Sequence, residues 1–468
     1  MSDLRRWPAL ALLVAAILAA APALAAADGN TRYLAFQFFT GGVSDDYQAS
    51  FPPPPADLYS TIGGLKERLG SSGSGERRAG FIVGPLSLGT SDAGTRNLIR
   101  ASFEIALKTD MAVGFHIDDS MFWRGMDALN APANLEWLDW SGTPSTGRRL
   151  DWSAKPIRIA PPLCLNSAPV TKAVAARAKL IGSEIASGVA VLGAAGKSQL
   201  FIGAIAGWES GIGRDFDTGQ PVGYCALTNK GFSAAHPPAD FDQARADVTR
   251  EFIGFWAREL HAAGVPSDKV YSHIAFRPKT KNALVPSDTA FAAGVIPGFS
   301  TYPAPGHLEE IAEELKKHGN PPWASSEGAA IDPGVAGAGG AGVGMEIYLG
   351  NLFNHGARLV NVFGWGVGGA DNPFRRVAEA DASLEAYRKF LTGAALEEAP
   401  YHAPEMPATA LADKVHRIQA ELPAYVEKHG PARAAPLARA LDEHLKKHDF
   451  RAAEATADQI LQMLAERQ

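Results

Sequence analysis

The chain has 468 residues, 46% of them hydrophobic and 20% charged, with a formal charge of −6 and a pI near 6.1. That composition excludes wholesale disorder, and an acidic balance without clustered Lys and Arg leaves no electrostatic footprint for nucleic acid. The length suits one large domain with an appendage.

The chain begins with Arg5 and Arg6, an apolar core from about Ala9 to Ala21, and small residues at Ala23, Ala25 and Ala27. This three-part pattern predicts a secretory signal peptide over residues 1–27, cleaved after Ala25 or Ala27, and hence a periplasmic or secreted protein. An uncleaved anchor is the competing reading, although the apolar stretch is shorter than a bilayer span requires. No other run has spanning length, so no membrane association is expected after cleavage. The only cysteines, Cys164 and Cys225, fall in predicted loops on one face. In an oxidising compartment they would form a disulfide or remain two buried thiols, and their spacing matches no metal motif.

Eight apolar runs read as strands: Tyr33–Thr40, Ala79–Leu88, Met111–Asp118, Gln199–Gly207, Tyr271–Phe276, Gly298–Tyr302, Pro322–Glu327 and Leu359–Trp365. They lack helical spacing, as strands buried on both faces do. Between and after them lie helix-compatible segments over Asp57–Leu69, Thr95–Lys108, Val170–Leu192, Asp240–Ala263, Pro286–Ala293, His307–His318, Gly344–His355 and Ala380–Leu391. In the fourth, Phe241, Ala244, Val248, Phe252, Phe255, Trp256 and Leu260 share one stripe. Strict alternation implies a parallel sheet, and eight repeats without a Gly-rich dinucleotide turn predict an α/β fold, a (β/α)8 TIM barrel over residues 30–398.

The connections after strands three and four, roughly Asp119–Pro169 and Ser210–Ala239, are long and rich in Pro, Gly and Trp, whereas those entering strands are short. Long βα loops build a site on the carboxyl face. Gly334–Gly344 lacks the Lys and spacing of a phosphate cradle and reads as a rim loop. Beyond Pro400, the stretches Ala408–His429, Pro431–His448 and Arg451–Arg467 predict a small C-terminal α-helical appendage over 405–468.

The chemistry gathers at strand ends. Glu209 follows strand four and Glu327 ends strand seven, on opposite sides of a barrel mouth, so their carboxyls are placed to face each other across a substrate. His116 and Asp118 share one side of strand three by alternation, and Asp119 opens its loop. Trp123, Trp137, Trp140 and Trp152, interleaved with Glu136, Asp139 and Asp151, suit a carbohydrate cleft or merely anchor that loop. Trp208 precedes Glu209, Arg277 follows strand five, Tyr302 strand six and Trp365 strand eight; Glu346 and Asp371 lie beyond the rim.

The paired glutamates resemble those of the clan A glycoside hydrolases, (β/α)8 barrels with an acid/base Glu after strand four and a nucleophile Glu after strand seven. The likeness covers the barrel and departs from the pattern where the clan usually has Asn before the acid/base; this chain has Trp208. The resemblance implies cleavage of a poly- or oligosaccharide by double displacement, with Glu209 as acid/base and Glu327 as nucleophile and no cofactor. His116, Asp118, Asp119, Trp123, Trp208, Arg277, Tyr302 and Trp365 would bind the carbohydrate. A non-catalytic carbohydrate-binding barrel, or a metal-dependent hydrolase using His116, Asp118 and Asp119, stays open. No Gly-x-Ser-x-Gly elbow or His-Glu-x-x-His supports serine hydrolase or zincin chemistry. Nothing in the sequence indicates the oligomeric state.

Overall fold

The structure, a computed structural model, describes residues 30–39, 57–150, 156–276, 285–302, 307–330, 344–367, 372–399, 408–447 and 450–465. The predicted signal peptide, the Gly-rich stretch apart from Gly344, and Arg277, Asp151, Trp152 and Asp371 lie outside the described residues.

Eight parallel strands form the centre: β1 (Arg32–Phe39), β2 (Arg77–Gly84), β3 (Ala112–Ile117), β4 (Phe201–Ala206), β5 (Val270–Ser272), β6 (Gly298–Ser300), β7 (Trp323–Gly328) and β8 (Ala357–Val362). Each pairs with its sequence neighbours, and β1 pairs with β8 through Tyr33 opposite Leu359 to Phe36 opposite Val362. Between β5 and β6 the ladder is reduced to bridges, with Ser272 N donating to Ile296 O (3.0 Å) and Ser300 N to Ile274 O (2.8 Å). Those bridges close the ring, so the fold is a (β/α)8 barrel, as the alternation predicts. Every predicted strand is present; β5 and β6 are shorter than predicted, ending at Ser272 and Ser300.

The helices expected between strands form as α1 (Leu58–Leu69), α2 (Asp92–Thr109), α3 (Ala168–Ala194), α4 (Phe241–Ala262), α5 (His307–Lys317), α6 (Met345–Phe353) and α7 (Asp381–Thr392). Short polar side chains start the early ones: Asp57 accepts from Ser60 N (2.9 Å), Ser91 from Gly94 N (3.2 Å) and Asp240 from Gln243 N (3.0 Å). Each satisfies a backbone N–H that the helix itself leaves unpaired. The half-buried face of α2 meets α3 through Glu184, which accepts from Arg96 and Arg100 at 2.7 Å each. The helix predicted over Pro286–Ala293 is only a 3-10 turn, Ser287–Ala290: four residues are too few to propagate a helix, and Asp288 is bound by Arg250 at 2.6 Å.

Alternation along β1 sets the two faces of the barrel wall. Gln37 points inward to His116, while Phe36 points outward and meets Tyr387 of α7 edge-on, ring centroids 5.0 Å apart. At the amino end of the barrel Lys269, 1% exposed, donates to Tyr33 Oη (3.3 Å), which lies beside the Phe201 carbonyl. Gly203 leaves room for this layer: at its φ of 145° an added Cβ would sit 2.6 Å from the Tyr271 ring.

Past the barrel, α8 (Ala408–His429), α9 (Ala434–Lys447) and α10 (Phe450–Ala465) gather Leu411, Ile418, Leu441, Ala453, Ile460 and Leu464 into an apolar cluster of their own. Among the described residues no helix is long and apolar enough to cross a membrane.

Candidate active site

β4 is apolar throughout and leaves the barrel at Gly207, after which Trp208 and Glu209 turn over the mouth. Glu209 has φ of 50°, a left-handed conformation that a side chain rarely adopts and that costs roughly 1 kcal/mol or more. The turn carries its carboxyl over β5 and β6. β7 shifts register between Ser325 and Glu327 against β6, and Glu327 is 5% exposed. Glu209, His273 and Glu327 each place a polar atom within 4.8 Å of the others', so the two carboxylates confront each other across the mouth.

Tyr302, just after β6, donates to Glu327 Oε1 at 2.6 Å. Burial, with the nearby Glu209 carboxylate second, pushes the Glu327 carboxyl up to about 8, and the Tyr302 hydroxyl works against that rise. Two carboxylates this close in a poorly solvated site do not both ionise readily, so the pair is built to hold a proton near neutral pH. Tyr302 itself is held well above its ordinary value by burial, then by Glu327, and stays a donor.

Behind Glu209 runs a buried polar row. Ser300 Oγ donates to Glu209 Oε1 (3.2 Å) and lies 2.9 Å from His273 Nε2; His273 Nδ1 lies 3.0 Å from His116 Nε2, and His116 Nδ1 3.0 Å from Gln37 Oε1. Asn361 Nδ2 donates to that same Gln37 oxygen at 2.8 Å. His116 therefore lies beneath the carboxyls, where no substrate group reaches it; its ring is stacked on Trp208 at 4.0 Å. Burial pulls both imidazoles below their ordinary value, His273 to about 3.

The other predicted binding residues divide. Asp118 accepts from Met121 N (3.0 Å) and Phe122 N (2.7 Å), which folds the start of the long loop; burial, then Asp119, raises it to about 7. Asp119 is buried beside it, raised by burial, with Ser210 and Arg148 acting in the opposite direction. Three aromatics need correction as binding surfaces. Trp208 is 2% exposed and pressed between His116 and Phe39, so its face is already taken. Trp123 is buried with its indole donating to the Pro161 carbonyl (2.9 Å), an anchor for the loop. Trp365 packs edge-on to Phe36, with the Arg68 guanidinium 4.8 Å over its ring, on the helix side of β1 and away from the mouth. Trp137 and Trp140 also hold the loop together, the first donating to Pro132 O and the second packing on Tyr224.

Glu136 is no surface acceptor either: it is buried, accepts from Cys225 N (3.1 Å), and burial raises it to about 8. Glu346 is bound by Lys389 at 2.8 Å on the helix layer. Both cysteines are buried free thiols. Sequence reasoning missed His273, Ser300, Gln37, Asn361 and Arg148. The first two were accessible in principle, since His273 shares a side with Tyr271 and Ser300 with Tyr302 along predicted strands. Arg148 was not: it belongs to a hairpin, Arg148–Leu150 with Ile157–Ile159, that folds back to set a buried cation near Asp118, Asp119 and Glu209.

Among the described residues one cluster has the composition of a metal site, Glu209, His273 and Glu327, and the expected trio His116, Asp118 and Asp119 does not form one. In that cluster both nitrogens of His273 are engaged, Nε2 with Ser300 and Nδ1 with the Glu209 N–H (3.3 Å) and His116. No lone pair of the imidazole is left for an ion, so these residues fit hydrogen-bonded acid chemistry better than coordination.

No protein-family model matches the chain, and no curated protein does. Among solved structures it is similar to a tri-modular GH5 (subfamily 4) endo-β-1,4-glucanase from Bacillus licheniformis (9% identity, 78% of this chain and 60% of that one, TM-score 0.40). It is similar to the PgaB (BpsB) glycoside hydrolase domain from Bordetella bronchiseptica (12% identity, 77% and 99%, TM-score 0.44). A 3-keto-D-glucoside 4-epimerase from E. coli is also similar (11% identity, 76% and 98%, TM-score 0.36). The chain spans 60% of the length of the endoglucanase chain. Likenesses this remote say nothing about activity, and the barrel rests on its own strand pairing.

Proposed function

We propose that the protein is an exported glycoside hydrolase that cleaves a poly- or oligosaccharide by a two-glutamate, retaining mechanism. One observation carries the reading: a carboxylate oxygen of Glu209 and one of Glu327 lie within 4.8 Å of each other at the mouth of the barrel. A nearest approach of that size favours the roughly 5–5.5 Å spacing of retaining enzymes over the about 6.5–9.5 Å of inverting ones, which hold a water between their carboxyls.

In the active form the pair carries one proton, on Glu209, which protonates the departing glycosidic oxygen. With Glu209 neutral, the smaller of the two causes that raise Glu327 is gone; burial, the larger, still opposes its ionisation, and Tyr302 donates to the carboxylate once it forms. Glu327 then attacks the anomeric carbon, and Glu209, now ionised, takes a proton from the water that releases the sugar. Arg148 supplies a fixed positive charge beside Glu209 as that carboxylate forms. Export follows from the charged, apolar and small-residue sections of residues 1–27, and α8 to α10 are read as a separate appendage.

The test is turnover of aryl glycosides and polysaccharides by the mature protein and by Glu209→Gln and Glu327→Gln, with the anomer of the first-formed product read by NMR. Full activity in both variants ends the proposal, and a product of inverted configuration ends its retaining part.

A further inference from the structure

The row behind Glu209 has a donor and acceptor pattern that fixes more than its distances. Asn361 Nδ2 donates to the Ser326 carbonyl (2.8 Å) and to Gln37 Oε1 (2.8 Å). The backbone carbonyl sets the Asn361 amide, Asn361 sets the Gln37 amide, and Gln37 therefore presents oxygen to His116 Nδ1. His116 Nδ1 must carry a proton. Its Nε2 lies 3.0 Å from both the Gly207 carbonyl and His273 Nδ1.

Two arrangements of the same four protons fit the side-chain contacts of this row. In one, Ser300 donates to a Glu209 carboxylate, His273 Nε2–H donates to Ser300, and His116 is an imidazolium whose Nε2–H points to Gly207 O and His273 Nδ1. In the other, Glu209 is a carboxylic acid that donates to Ser300 Oγ, Ser300 donates to His273 Nε2, His273 Nδ1–H donates to His116 Nε2, and His116 is neutral. We infer that Glu209, Ser300, His273 and His116 form a proton relay, so that His116 stores the Glu209 proton in the barrel interior.

The step balances. The Glu209 O–H bond breaks as a new Ser300 Oγ–H forms; the former Ser300 proton passes to His273 Nε2, and the His273 Nδ1 proton passes to His116 Nε2. A carboxylic acid and a neutral imidazole become a carboxylate and an imidazolium, with no proton gained or lost. Opposed preferences act on the two arrangements. The Gly207 carbonyl and the Glu209 N–H, fixed backbone groups, suit the imidazolium form, as does the Trp208 ring stacked 4.0 Å beneath His116. Burial of both imidazoles suits the neutral form. Among the described residues, the charged or titratable groups facing the Glu209 end include Glu327 from β7, Tyr302 after β6 and Arg148 from the hairpin. His116 meets His273 on one side and uncharged Gln37 and Trp208 on the others.

The relay rests on Glu209 being the acid/base of the proposed reaction, and it makes His116, His273 and Ser300 positioning residues that act through it. The test is NMR of full-length mature protein carrying 15N-histidine and 13Cδ-glutamate, followed over pH and assigned with Glu209→Gln and His116→Gln. The expected result is a single coupled step, with a common midpoint at the Glu209 carboxyl and the His116 ring. Ser300→Ala is expected to split that midpoint into two and to move the Glu209 limb of the pH–rate profile, while Ser300→Thr, which keeps the hydroxyl, retains the common step. A His116 ring that stays singly protonated and silent while Glu209 titrates, or coupling undiminished in Ser300→Ala, overturns the relay. Absence of glycosidase turnover with the common midpoint intact sinks the proposed reaction and leaves the relay standing.

Discussion

The Tyr302 hydroxyl donates to one oxygen of Glu327 at 2.6 Å, while the other oxygen, Oε2, is buried without a hydrogen-bond partner among the described residues. The carboxyl is thus half satisfied. Tyr302→Phe removes a group that lowers the Glu327 value from outside, so the carboxyl rises further above about 8. The limb of kcat/KM governed by ionisation of Glu327 is expected to move to higher pH. At neutral pH the loss of a hydrogen bond to a charged group, roughly 1.5–3 kcal/mol, corresponds to about 10- to 100-fold. A pH–rate profile of the variant checks it, and an unmoved limb counts against the role given to Glu327.

Replacing either glutamate by glutamine keeps volume and removes the acid function. Glu209→Gln and Glu327→Gln are each expected to lower kcat by at least about 100-fold with far-UV circular dichroism unchanged. A loss confined to KM would show that the residues bind carbohydrate without reacting.

Stability should fall as pH rises, on account of the site. Glu327 in the folded chain titrates at about 8 against an ordinary 4.5, so between those values the folded state holds a proton that the unfolded chain has lost. The sign of that difference makes the stabilising contribution complete below about 4.5 and lost as pH climbs to about 8. Glu136 and Asp118, raised to about 8 and about 7 by burial, act in the same direction. Glu327→Gln carries no such charge and is expected to raise the melting temperature at pH 8.5 by more than at pH 5, through a contribution of roughly a few kcal/mol. Equal shifts at the two values would show that the carboxyl is solvated.

Lys269 makes the opposite case at the other end of the barrel. Burial lowers its ammonium to about 8 from 10.5, so in that window the unfolded chain binds the extra proton and stability rises with pH. Lys269→Met keeps the volume, removes a buried charge and is expected to leave the protein as stable or more so at pH 7, as buried charges replaced by apolar groups often do. Urea denaturation of the variant measures this; a loss of several kcal/mol would mean that the bond from Lys269 to Tyr33 holds the barrel floor.

The fold was legible because it is written in local pattern. Apolar runs such as Phe201–Ala206 alternate with amphipathic segments such as Phe241–Ala262, and that rhythm alone specifies parallel strands under helices. The pairing of Glu209 with Glu327 was legible for a related reason, since strand order in a barrel converts position along the chain into position around the mouth. The aromatics misled because residue type says what a ring is able to do and not which side of the wall it occupies. Trp365 sits three residues past the end of β8, and the turn there sends it to the helix layer over Phe36.

From its order of apolar and polar residues alone, then, the chain specified a closed ring of eight strands and the two acids at its rim, because these follow from periodicity and topology. Only tertiary structure could set Ser300 beside Glu209, His273 beside His116, and the Asn361 amide over Gln37. Those hydrogen bonds join residues up to 324 positions apart, and the Ser326 carbonyl that orients the Asn361 amide and the Gly207 carbonyl that faces His116 become partners only once the barrel has closed.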